Sequence, residues 1–236
     1  MSVYQEEIKL RSKDVDMYRR LRLSTLFQML QEASIQHTEQ LGMGREKTLD
    51  KGLLWIISLQ QCEIKRMPCY DETILLKSWP GKTMHLFFPR YYSIDNTQGQ
   101  RLVTASALWM LVEENTRKPV FPEEHGIHID GTECDIILPQ RLSGITEGQI
   151  NRITIPYSYI DLNGHVNHTR FFDLAQDYFL PEERTRTITQ IQAEYSHEVR
   201  FEDELQLCHQ HEETDCWFDG SVDSTSCFRI HFRLDL

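Results

Sequence analysis

An internal repeat limits the folds open to this chain of 236 residues. With no gaps and an offset of 131, residues 61–75 align with residues 192–206. Gln61/Gln192 and Glu63/Glu194 are identical, and the similar pairs are Tyr70/Phe201, Asp71/Glu202, Glu72/Asp203 and Ile74/Leu205. Self-similarity at a fixed spacing indicates that one structural unit is used twice. The chain is therefore predicted to contain two related repeats.

Each repeat is predicted to run strand, helix and four strands. Alternating apolar positions between Gly, Pro and Asn turns predict the strands, and apolar residues on one helical face predict the helices. In repeat 1 the strands are expected at 7–15, 53–66, 73–79, 85–95 and 100–114, and the helix at 24–41. In repeat 2 they are expected at 152–160, 188–199, 204–213, 215–222 and 225–236, with the helix at 169–179.

The two predicted helices differ in length but share an apolar face. The first carries Leu23, Leu26, Phe27, Leu30 and Leu41 and should stop at Gly42 and Gly44; the second carries Phe171, Leu174, Ala175 and Tyr178 and should stop at Pro181. They align at an offset of 144, which pairs Phe27 with Phe171.

These elements predict an α+β fold in which an antiparallel sheet wraps around one apolar helix in each repeat. Two such sheets side by side would cover each other's exposed edges. The expected division is an N-terminal repeat over 1–130, a Pro- and Gly-containing connector over 131–150, and a C-terminal repeat over 151–236.

The net charge of the chain argues against some classes of binding partner. The chain has 25 Lys and Arg against 36 Asp and Glu, a formal net charge of −11. Nucleic acids and anionic membranes attract basic surfaces, so neither is an expected partner. The charge is distributed unevenly along the chain. Residues 1–130 include 17 basic and 17 acidic residues, whereas residues 131–236 include 8 basic and 19 acidic residues.

Nothing in the sequence predicts export or a membrane span. The first ten residues contain Glu6 and Glu7 and no apolar signal region, and no apolar run approaches about 20 residues. The six cysteines have neither C-x-x-C nor zinc-ligand spacing. Free thiols and a cytoplasmic location are expected.

The densest group of chemically useful residues precedes the second helix, at Asp161-Leu162-Asn163-Gly164-His165-Val166-Asn167-His168. Asp161, Asn163 and His165 alternate, so an extended backbone would point them to one side. Imidazole titrates near neutrality and can serve as a general base. The N–H groups that begin the following helix could bind a developing oxyanion.

The same residue types also suit a turn and a helix cap. Repeat 1 helps to separate the two interpretations. At an offset of 144, Asp161, Asn163 and His165 face Met17, Arg19 and Leu21; at 145 they face Asp16, Tyr18 and Arg20. Repeat 1 makes the corresponding turn without the Asn and His, which favours a functional role in repeat 2.

Glu198 is a further candidate, because its counterpart in repeat 1 is the apolar Met67. It is either a solvated strand end or an acid/base group. A metal is the rival chemistry, since His165, His168, His197, His209 and His211 offer ligands. No metal, nucleotide or serine-hydrolase motif is present, so neither a metal nor a cofactor is expected.

Asp161-x-Asn163-x-His165-Val166-Asn167, followed 33 residues after His165 by Glu198, is similar to the plant-type fatty acyl–acyl carrier protein thioesterases and their bacterial relatives. The repeated strand–helix–four-strand order resembles a tandem hotdog fold. Repeat 1 carries further likenesses at 31–33, His37, 54–56, 105–109, 115–117 and 122–124.

The resemblance implies hydrolysis of a fatty acyl thioester on acyl carrier protein, which releases free fatty acid and terminates fatty acid synthesis. It assigns catalysis to Asp161, Asn163, His165 and Glu198. Where plant relatives commonly carry a Cys after the matched Glu, this chain has Val199, so a Cys nucleophile at that position is excluded.

Two mechanisms remain open at this level. In one, Asp161 or Glu198 activates water, His165 orients the water or relays its proton, and Asn163 with a helix-terminal N–H stabilises the oxyanion. In the other, Asp161 attacks the carbonyl directly and forms an anhydride.

The resemblance also implies that repeat 1 is non-catalytic and houses the acyl chain, with Leu26, Leu30, Ile57 and Leu59 as its wall. A homodimer is a further expectation. Because carrier proteins are acidic, we expect docking on the basic residues of repeat 1, namely Arg19, Arg20, Arg22, Lys65 and Arg66. The alternatives are an acyl-CoA thioesterase, a hotdog hydratase or dehydratase, and a non-enzymatic acyl-binding module.

Overall fold

A single antiparallel sheet of ten strands forms the frame of this protein, seen in a computed structural model that describes residues 3–132 and 134–236. Repeat 1 contributes β1 (Tyr4–Lys9), β2 (Leu53–Ile64), β3 (Thr73–Pro80), β4 (Phe87–Asn96) and β5 (Arg101–Glu113). Repeat 2 contributes β6 (Gln149–Thr154), β7 (Ile188–Tyr195), β8 (Glu204–His211), β9 (Asp215–Val222) and β10 (Thr225–Leu234). The order is β1-β3-β4-β5-β2-β7-β10-β9-β8-β6, so each half repeats the other.

The halves join through β2 and β7, which pair antiparallel with Gln61 opposite Gln192. These are the identical residues of the alignment at offset 131. Two equivalent residues can face each other only on a two-fold axis, so a pseudo-two-fold axis passes between them. Each junction strand supplies the other's missing neighbour, and the two predicted sheets become one continuous sheet.

Two helices lie against one face of the sheet, α1 (Leu23–Gln40) and α2 (Arg170–Asp177). Phe27 of α1 stacks on Phe172 of α2, with ring centroids 3.9 Å apart and planes 6° apart. Both rings are buried in one hydrophobic core that includes residues of both repeats. The rings form a second contact between equivalent positions, now at an offset of 145.

The predicted helix alignment at 144 is therefore wrong by one residue. The short bridge Val15–Leu21 before α1 corresponds to Ile160–Val166 before α2, again at 145. Phe171 and Phe172 are adjacent and equally apolar, so composition could not choose between them. The stacking contact with Phe27 shows that Phe172 is the equivalent residue.

Element types agree with the sequence prediction and some boundaries move. The strand expected at 152–160 is β6, which ends at Thr154, because Pro156 has no N–H to donate to a neighbouring strand. The strand expected at 7–15 is β1, and a short 3₁₀ turn at Ser12–Asp14 follows it. Gly42 adopts φ 70° just after α1, where the sequence placed a helix stop.

The connecting segment crosses the outer face of the sheet, opposite the helices. Its N–H groups and carbonyls meet polar side chains of the central strands: Ser106 Oγ donates to the carbonyl of Ile137 (2.6 Å), and the N–H of Leu142 donates to Glu194 (2.9 Å). β6 begins at Gln149, within the stretch assigned to the connector. Glu133, also in that stretch, lies outside the described residues.

Two further observations concern the expected environment. Among residues 3–132 and 134–236, no helix is long and apolar enough to cross a membrane. All six cysteines carry free thiols, as expected.

Candidate active site

A tight turn presents three of the four candidate residues. Ile160 and Val166 form an antiparallel bridge around it, and the N–H of Asp161 donates to the carbonyl of His165 (2.8 Å). Asp161 Oδ1 accepts the N–H of Asn163 (2.8 Å), and Gly164 takes φ 80°, a conformation that costs glycine little. This turn sets the spacing of Asp161, Asn163 and His165.

The fourth residue, Glu198, lies just beyond the end of β7. The N–H of Val166 donates to the carbonyl of Val199 (2.7 Å), which ties the turn to this segment. As a result His165 Nε2 lies 2.9 Å from Glu198 Oε2. Arg117 of repeat 1 contacts the other oxygen of Glu198 at 3.2 Å. The structure thus brings an imidazole and a carboxylate together across 33 residues.

All four candidates line one cavity of about 670 Å³ at the junction of the repeats. The side that carries the four candidates is polar and comes from repeat 2. The opposite side is largely apolar and comes from repeat 1, chiefly from residues 53–57 at the start of β2 together with Trp109 and Val112. An apolar wall facing a group of acid/base residues fits a ligand with an apolar chain and a polar reacting end.

Burial lowers the pKa of His165 below its usual value of 6.5. The carboxylate of Glu198 works in the opposite direction, and Arg117 adds to the lowering. The ring is therefore neutral at pH 7. With Nε2–H donating to Glu198, the neutral ring keeps its lone pair on Nδ1, where it can accept a proton.

Substituting Arg117 by Gln should raise the pKa of His165, because a positive charge that disfavours the imidazolium is removed. Catalysis by neutral His165 is lost as pH falls through that pKa. The acid limb of kcat against pH should therefore move to higher pH in this variant. Lys118→Gln, at an exposed neighbouring position, is the control and should leave the profile unchanged. An unmoved acid limb in Arg117→Gln would exclude His165 as the titrating base.

Asn163 and the helix start were expected to bind the oxyanion. Asn163 lines the cavity at its exposed rim. The N–H of Thr169 already donates to Asn167 Oδ1 (3.0 Å), and those of Arg170 and Phe171 donate to the carbonyls of residues 167 and 168. The first amides of α2 thus have acceptors, and the Asn163 amide is the better-placed donor for an oxyanion.

Repeat 1 contains a copy of this turn. Asp16 Oδ1 accepts the N–H of Tyr18 (2.8 Å), the N–H of Asp16 donates to the carbonyl of Arg20 (2.8 Å), and Arg19 takes φ 64° where repeat 2 has Gly164. Aspartate is therefore common to both turns and has a structural role in each. Tyr18, Arg20 and Met67 replace Asn163, His165 and Glu198, so these three residues distinguish repeat 2 from repeat 1.

Arg20, the counterpart of His165 in the turn of repeat 1, makes structural contacts. It pairs with Asp16 (3.0 Å) and donates to the carbonyls of Arg184 (2.7 Å) and Arg186 (3.0 Å) in repeat 2. The residue equivalent to His165 thus links the two repeats.

The four residues expected in the acyl wall lie in three different places. Ile57 lines the cavity, whereas Leu26 and Leu30 are fully buried in the core. Leu59 lies on the outer face of the sheet, because a bulge between Ile57 and Leu59 shifts the alternation of side chains by one residue. Sequence reasoning missed Leu53, Leu54, Trp55 and Ile56; the continuous apolar run at 53–57 was the available signal.

A smaller pocket of about 170 Å³ shares Thr48, Trp55 and Trp109 with the cavity and extends it into repeat 1. Arg90, only 4% exposed, lies in its wall. Its guanidinium contacts His37 Nδ1 (2.8 Å) and donates to Thr38 Oγ1 (2.7 Å) near the end of α1. The pocket wall combines apolar side chains such as Phe88 and Ile129 with the exposed Glu39 and Arg45, and Arg90 adds a buried guanidinium to it.

The residues expected to dock a carrier are not at this cavity. Arg20, Arg22, Lys65 and Arg66 line a separate groove of about 330 Å³ beyond the C-terminal end of β2. The cavity that holds the four candidates lies at the N-terminal end of β2, and eleven strand residues span about 35 Å. Arg66 is also paired with Glu72 (2.5 Å).

Comparison with known proteins gives consistent matches. The family model for the acyl-ACP thioesterase N-terminal domain matches residues 1–125, and that for the C-terminal domain matches residues 142–226. A chloroplastic acyl-[acyl-carrier-protein] hydrolase of Cuphea viscosissima is 22% identical over 222 residues, covering 86% of this chain and 54% of the relative. A palmitoyl-acyl carrier protein thioesterase of Cuphea hookeriana is 23% identical over 223 residues, with the same two shares. The chain thus spans about half the length of these relatives.

Solved structures match over the full chain. A crystal structure of an acyl-ACP thioesterase from Bacteroides thetaiotaomicron superposes with a TM-score of 0.90 at 26% identity and covers 100% of both chains. A 12:0-ACP thioesterase from Umbellularia californica superposes with a TM-score of 0.83 at 18% identity, covering 99% of this chain and 97% of that one. These superpositions confirm the tandem hotdog fold.

Proposed function

Because this chain belongs to the acyl-ACP thioesterase family, we propose that it hydrolyses fatty acyl thioesters of acyl carrier protein to free fatty acid and carrier thiol. The observation that carries the proposal is the pairing of His165 with Glu198 at 2.9 Å in a cavity whose opposite wall is apolar. A fatty acyl thioester is a polar reacting group attached to an apolar chain. The cavity offers acid/base side chains for the first and an apolar wall for the second.

Water is the nucleophile in the mechanism that we favour. His165 Nδ1 takes a proton as the water oxygen attacks the thioester carbonyl, and Glu198 stabilises the imidazolium through Nε2. The tetrahedral intermediate then expels the thiolate, which takes the proton back. Asn163 donates to the oxyanion, and one such donor is typically worth about 3–4 kcal/mol.

Asp161 is the nucleophile in the competing mechanism, which passes through an anhydride. Its Oδ1 is held by the N–H of Asn163, as Oδ1 of Asp16 is held in repeat 1. A carboxylate oriented by a structural turn is better suited to positioning water and the imidazole than to leaving that turn. We therefore assign Asp161 to positioning.

Repeat 1 receives the acyl chain in this proposal and carries out no chemistry. The chain would leave the thioester at His165, pass Ile57 and Trp55, and enter the smaller pocket that ends at Arg90. This division follows the expected units, 1–130 for the chain and 151–236 for catalysis.

A turnover assay tests the function directly. The protein is given acyl carrier protein and coenzyme A thioesters of matched chain length, and free thiol and free acid are measured together. We expect equimolar thiol and acid, with a higher kcat/KM on the carrier. Water addition without thiol release would identify a hydratase, tight binding without turnover an acyl-binding module, and a preference for coenzyme A an acyl-CoA thioesterase.

Docking must occur within reach of the cavity, so we move the proposed carrier surface to its rim. Lys47 and Lys51 flank the cavity-lining residues Thr48 and Leu49, and Lys118 follows the cavity-lining Arg117; all three lysines are exposed. Glu46 and Asp50 also lie on this rim, and Arg45 pairs with Asp50 at 3.1 Å.

Charge reversal of Lys47, Lys51 and Lys118 to Glu should raise KM for carrier-bound substrate on the order of tenfold, because an acidic partner is repelled. A short uncharged thioester should be hydrolysed as before. The matched control reverses Arg19, Arg22 and Lys65, which are equally exposed at the far end of β2. If only the control raises KM, the carrier docks on the originally expected surface.

A further inference from the structure

A second group of reactive side chains lies in repeat 2, outside the catalytic cavity. Glu183 follows α2, His211 ends β8, and Cys216 is paired with His211 in β9. One donor atom from each lies within 4.8 Å of the other two. Glu183 and Cys216 are buried, with 3% and 0% of their surface exposed. Carboxylate, imidazole and thiol are the three common ligand types of zinc.

A chain of hydrogen bonds fixes the ring of His211 in this cluster. Asn151 Oδ1 lies 2.9 Å from His209 Nε2, and His209 Nδ1 lies 2.9 Å from His211 Nε2. His211 Nδ1 then faces both oxygens of Glu183 at 2.9 and 3.0 Å, and Glu183 Oε2 also accepts the N–H of Leu180 at 2.7 Å. With Nε2 turned to His209, the ring presents Nδ1 to Glu183 as a second ligand atom for an ion between them.

Arg186 acts electrostatically on the thiol of Cys216, but its guanidinium pairs with Asp235 and not with Glu183. Among the residues that the structure describes, no Lys or Arg nitrogen lies within 4 Å of the Glu183 carboxylate. Buried carboxylates are normally paired or bound to metal. The thiol of Cys216 approaches the same oxygen of Glu183 at 3.3 Å, so a third donor already points at the position between them.

Repeat 1 shows how the same place is filled by a cation. There the register pair Pro80–Arg90 corresponds to His211–Cys216 of repeat 2. The buried guanidinium of Arg90 contacts the end of α1 through His37 and Thr38. Repeat 2 has replaced that cation with a thiol and has placed a carboxylate against it. Repeat 2 thus places three metal-ligating side chains where repeat 1 places a guanidinium.

We propose that Glu183, His211 and Cys216 bind a divalent transition metal of the zinc type. Glu183 Oε1, His211 Nδ1 and Cys216 Sγ are the ligands, and a fourth position is left for water. On binding, the Cys216 thiol gives its proton to solvent and the sulfur bonds to the metal. The two negative ligands then balance the 2+ ion. His209 and Asn151 act as the outer shell that fixes the ring of His211.

The distances leave room for this ion after a small expansion. Tetrahedral zinc with bonds of about 2.0 Å to N and O and about 2.3 Å to S places its ligands about 3.3–3.6 Å apart. The present separations of 2.9 Å (Nδ1 to Oε1) and 3.3 Å (Sγ to Oε1) are somewhat shorter. Side-chain shifts of a few tenths of an ångström therefore suffice.

Cobalt titration of the full chain tests the site. Co²⁺ should bind at one equivalent and produce a thiolate-to-metal charge-transfer absorption, and Zn²⁺ should displace it. Cys216→Ser should abolish this absorption, and His211→Gln should weaken Zn²⁺ binding at least about tenfold. Cys208→Ser is the matched control. Cys208 lies on β8, the strand of His211, with its side chain on the opposite face, so this variant should bind metal as the wild type does.

Three outcomes would overturn the proposal: no uptake from excess Zn²⁺, binding unchanged in Cys216→Ser, or equal loss in Cys208→Ser. In the first case the network is closed by a proton on His211, or by Asn151 donating through its amide nitrogen. Metal binding is read without thioester turnover, so failure here leaves the proposed hydrolysis untouched. The melting temperature is a second readout. Adding Zn²⁺ should raise the melting temperature of the wild type and leave that of Cys216→Ser unchanged.

Discussion

Asp161→Asn is expected to lower kcat by at least about two orders of magnitude without unfolding the protein. Asparagine keeps the side-chain oxygen that accepts the N–H of Asn163, so the turn before α2 should persist. The substitution removes the negative charge near His165 and replaces the second carboxylate oxygen, which would accept a hydrogen bond from the attacking water, by an amide donor. Steady-state kinetics with a carrier-bound acyl substrate measure the effect, and circular dichroism checks the fold.

The pseudo-symmetry of the chain provides a control for this experiment. Asp16→Asn makes the same change in the same turn of repeat 1, where the counterparts of Asn163 and His165 are Tyr18 and Arg20. We expect kcat to be unchanged, with at most a small loss of stability from the half-exposed pair with Arg20. Equal losses of activity in both variants would show that the turn, and not the charge of Asp161, is what catalysis requires.

His165→Ala should lose activity to a similar extent, because it removes the only imidazole that contacts Glu198 among the described residues. A fully active His165→Ala variant would contradict the assignment of the catalytic site. Comparing it with Glu198→Gln separates the two roles, since Gln keeps a hydrogen-bond partner for His165 but no charge to stabilise the imidazolium.

Phe172→Ala is expected to destabilise the protein by about 3–5 kcal/mol, the largest effect on stability that we predict. Phe172 is fully buried and stacks on Phe27 at 3.9 Å across the pseudo-two-fold axis. Its loss opens a cavity between the two helices, and the partner ring cannot fill it without leaving its own repeat. For a chain of this size each kcal/mol lowers Tm by roughly 2–4 °C.

Chemical and thermal unfolding measure the change. Met17→Ala is the control, because Met17 is 84% exposed and its truncation should alter the free energy of unfolding by less than about 0.5 kcal/mol. If Phe172→Ala unfolds near the wild-type temperature, the helix contact on the axis contributes little to the stability of the protein, and the repeats are held together by other contacts such as the β2–β7 pairing.

The sequence predicted the elements and the fold class because both depend on local patterns. Alternation in strands and the apolar face of α1 are readable from one repeat at a time, and the second repeat checks the first. The alignment at offset 131 also paired Gln61 with Gln192, the two residues that face each other on the pseudo-two-fold axis. The helix alignment failed by one residue, because Phe171 and Phe172 are indistinguishable without the partner ring.

The residues expected in the acyl wall show what local sequence patterns cannot predict. Ile57 and Leu59 alternate in sequence and should share a face, yet the intervening bulge puts Leu59 on the outer face of the sheet. Leu26 and Leu30 have the composition of a pocket wall and are core. A bulge and the division between core and cavity depend on partner strands, so neither can be read from β2 or α1 alone.

The sequence by itself determined the two repeats, their shared topology and the three positions, Asn163, His165 and Glu198, at which repeat 2 departs from repeat 1. These are differences between aligned residues and need no coordinates. Only the tertiary structure decided that His165 meets Glu198 and that repeat 1 supplies the apolar wall. It also separated the basic residues Arg20, Arg22 and Lys65 from the cavity. The physical reason is that contacts between distant segments are set by strand register and by the axis that relates the repeats, and register across β2 and β7 exists only once the two halves have paired.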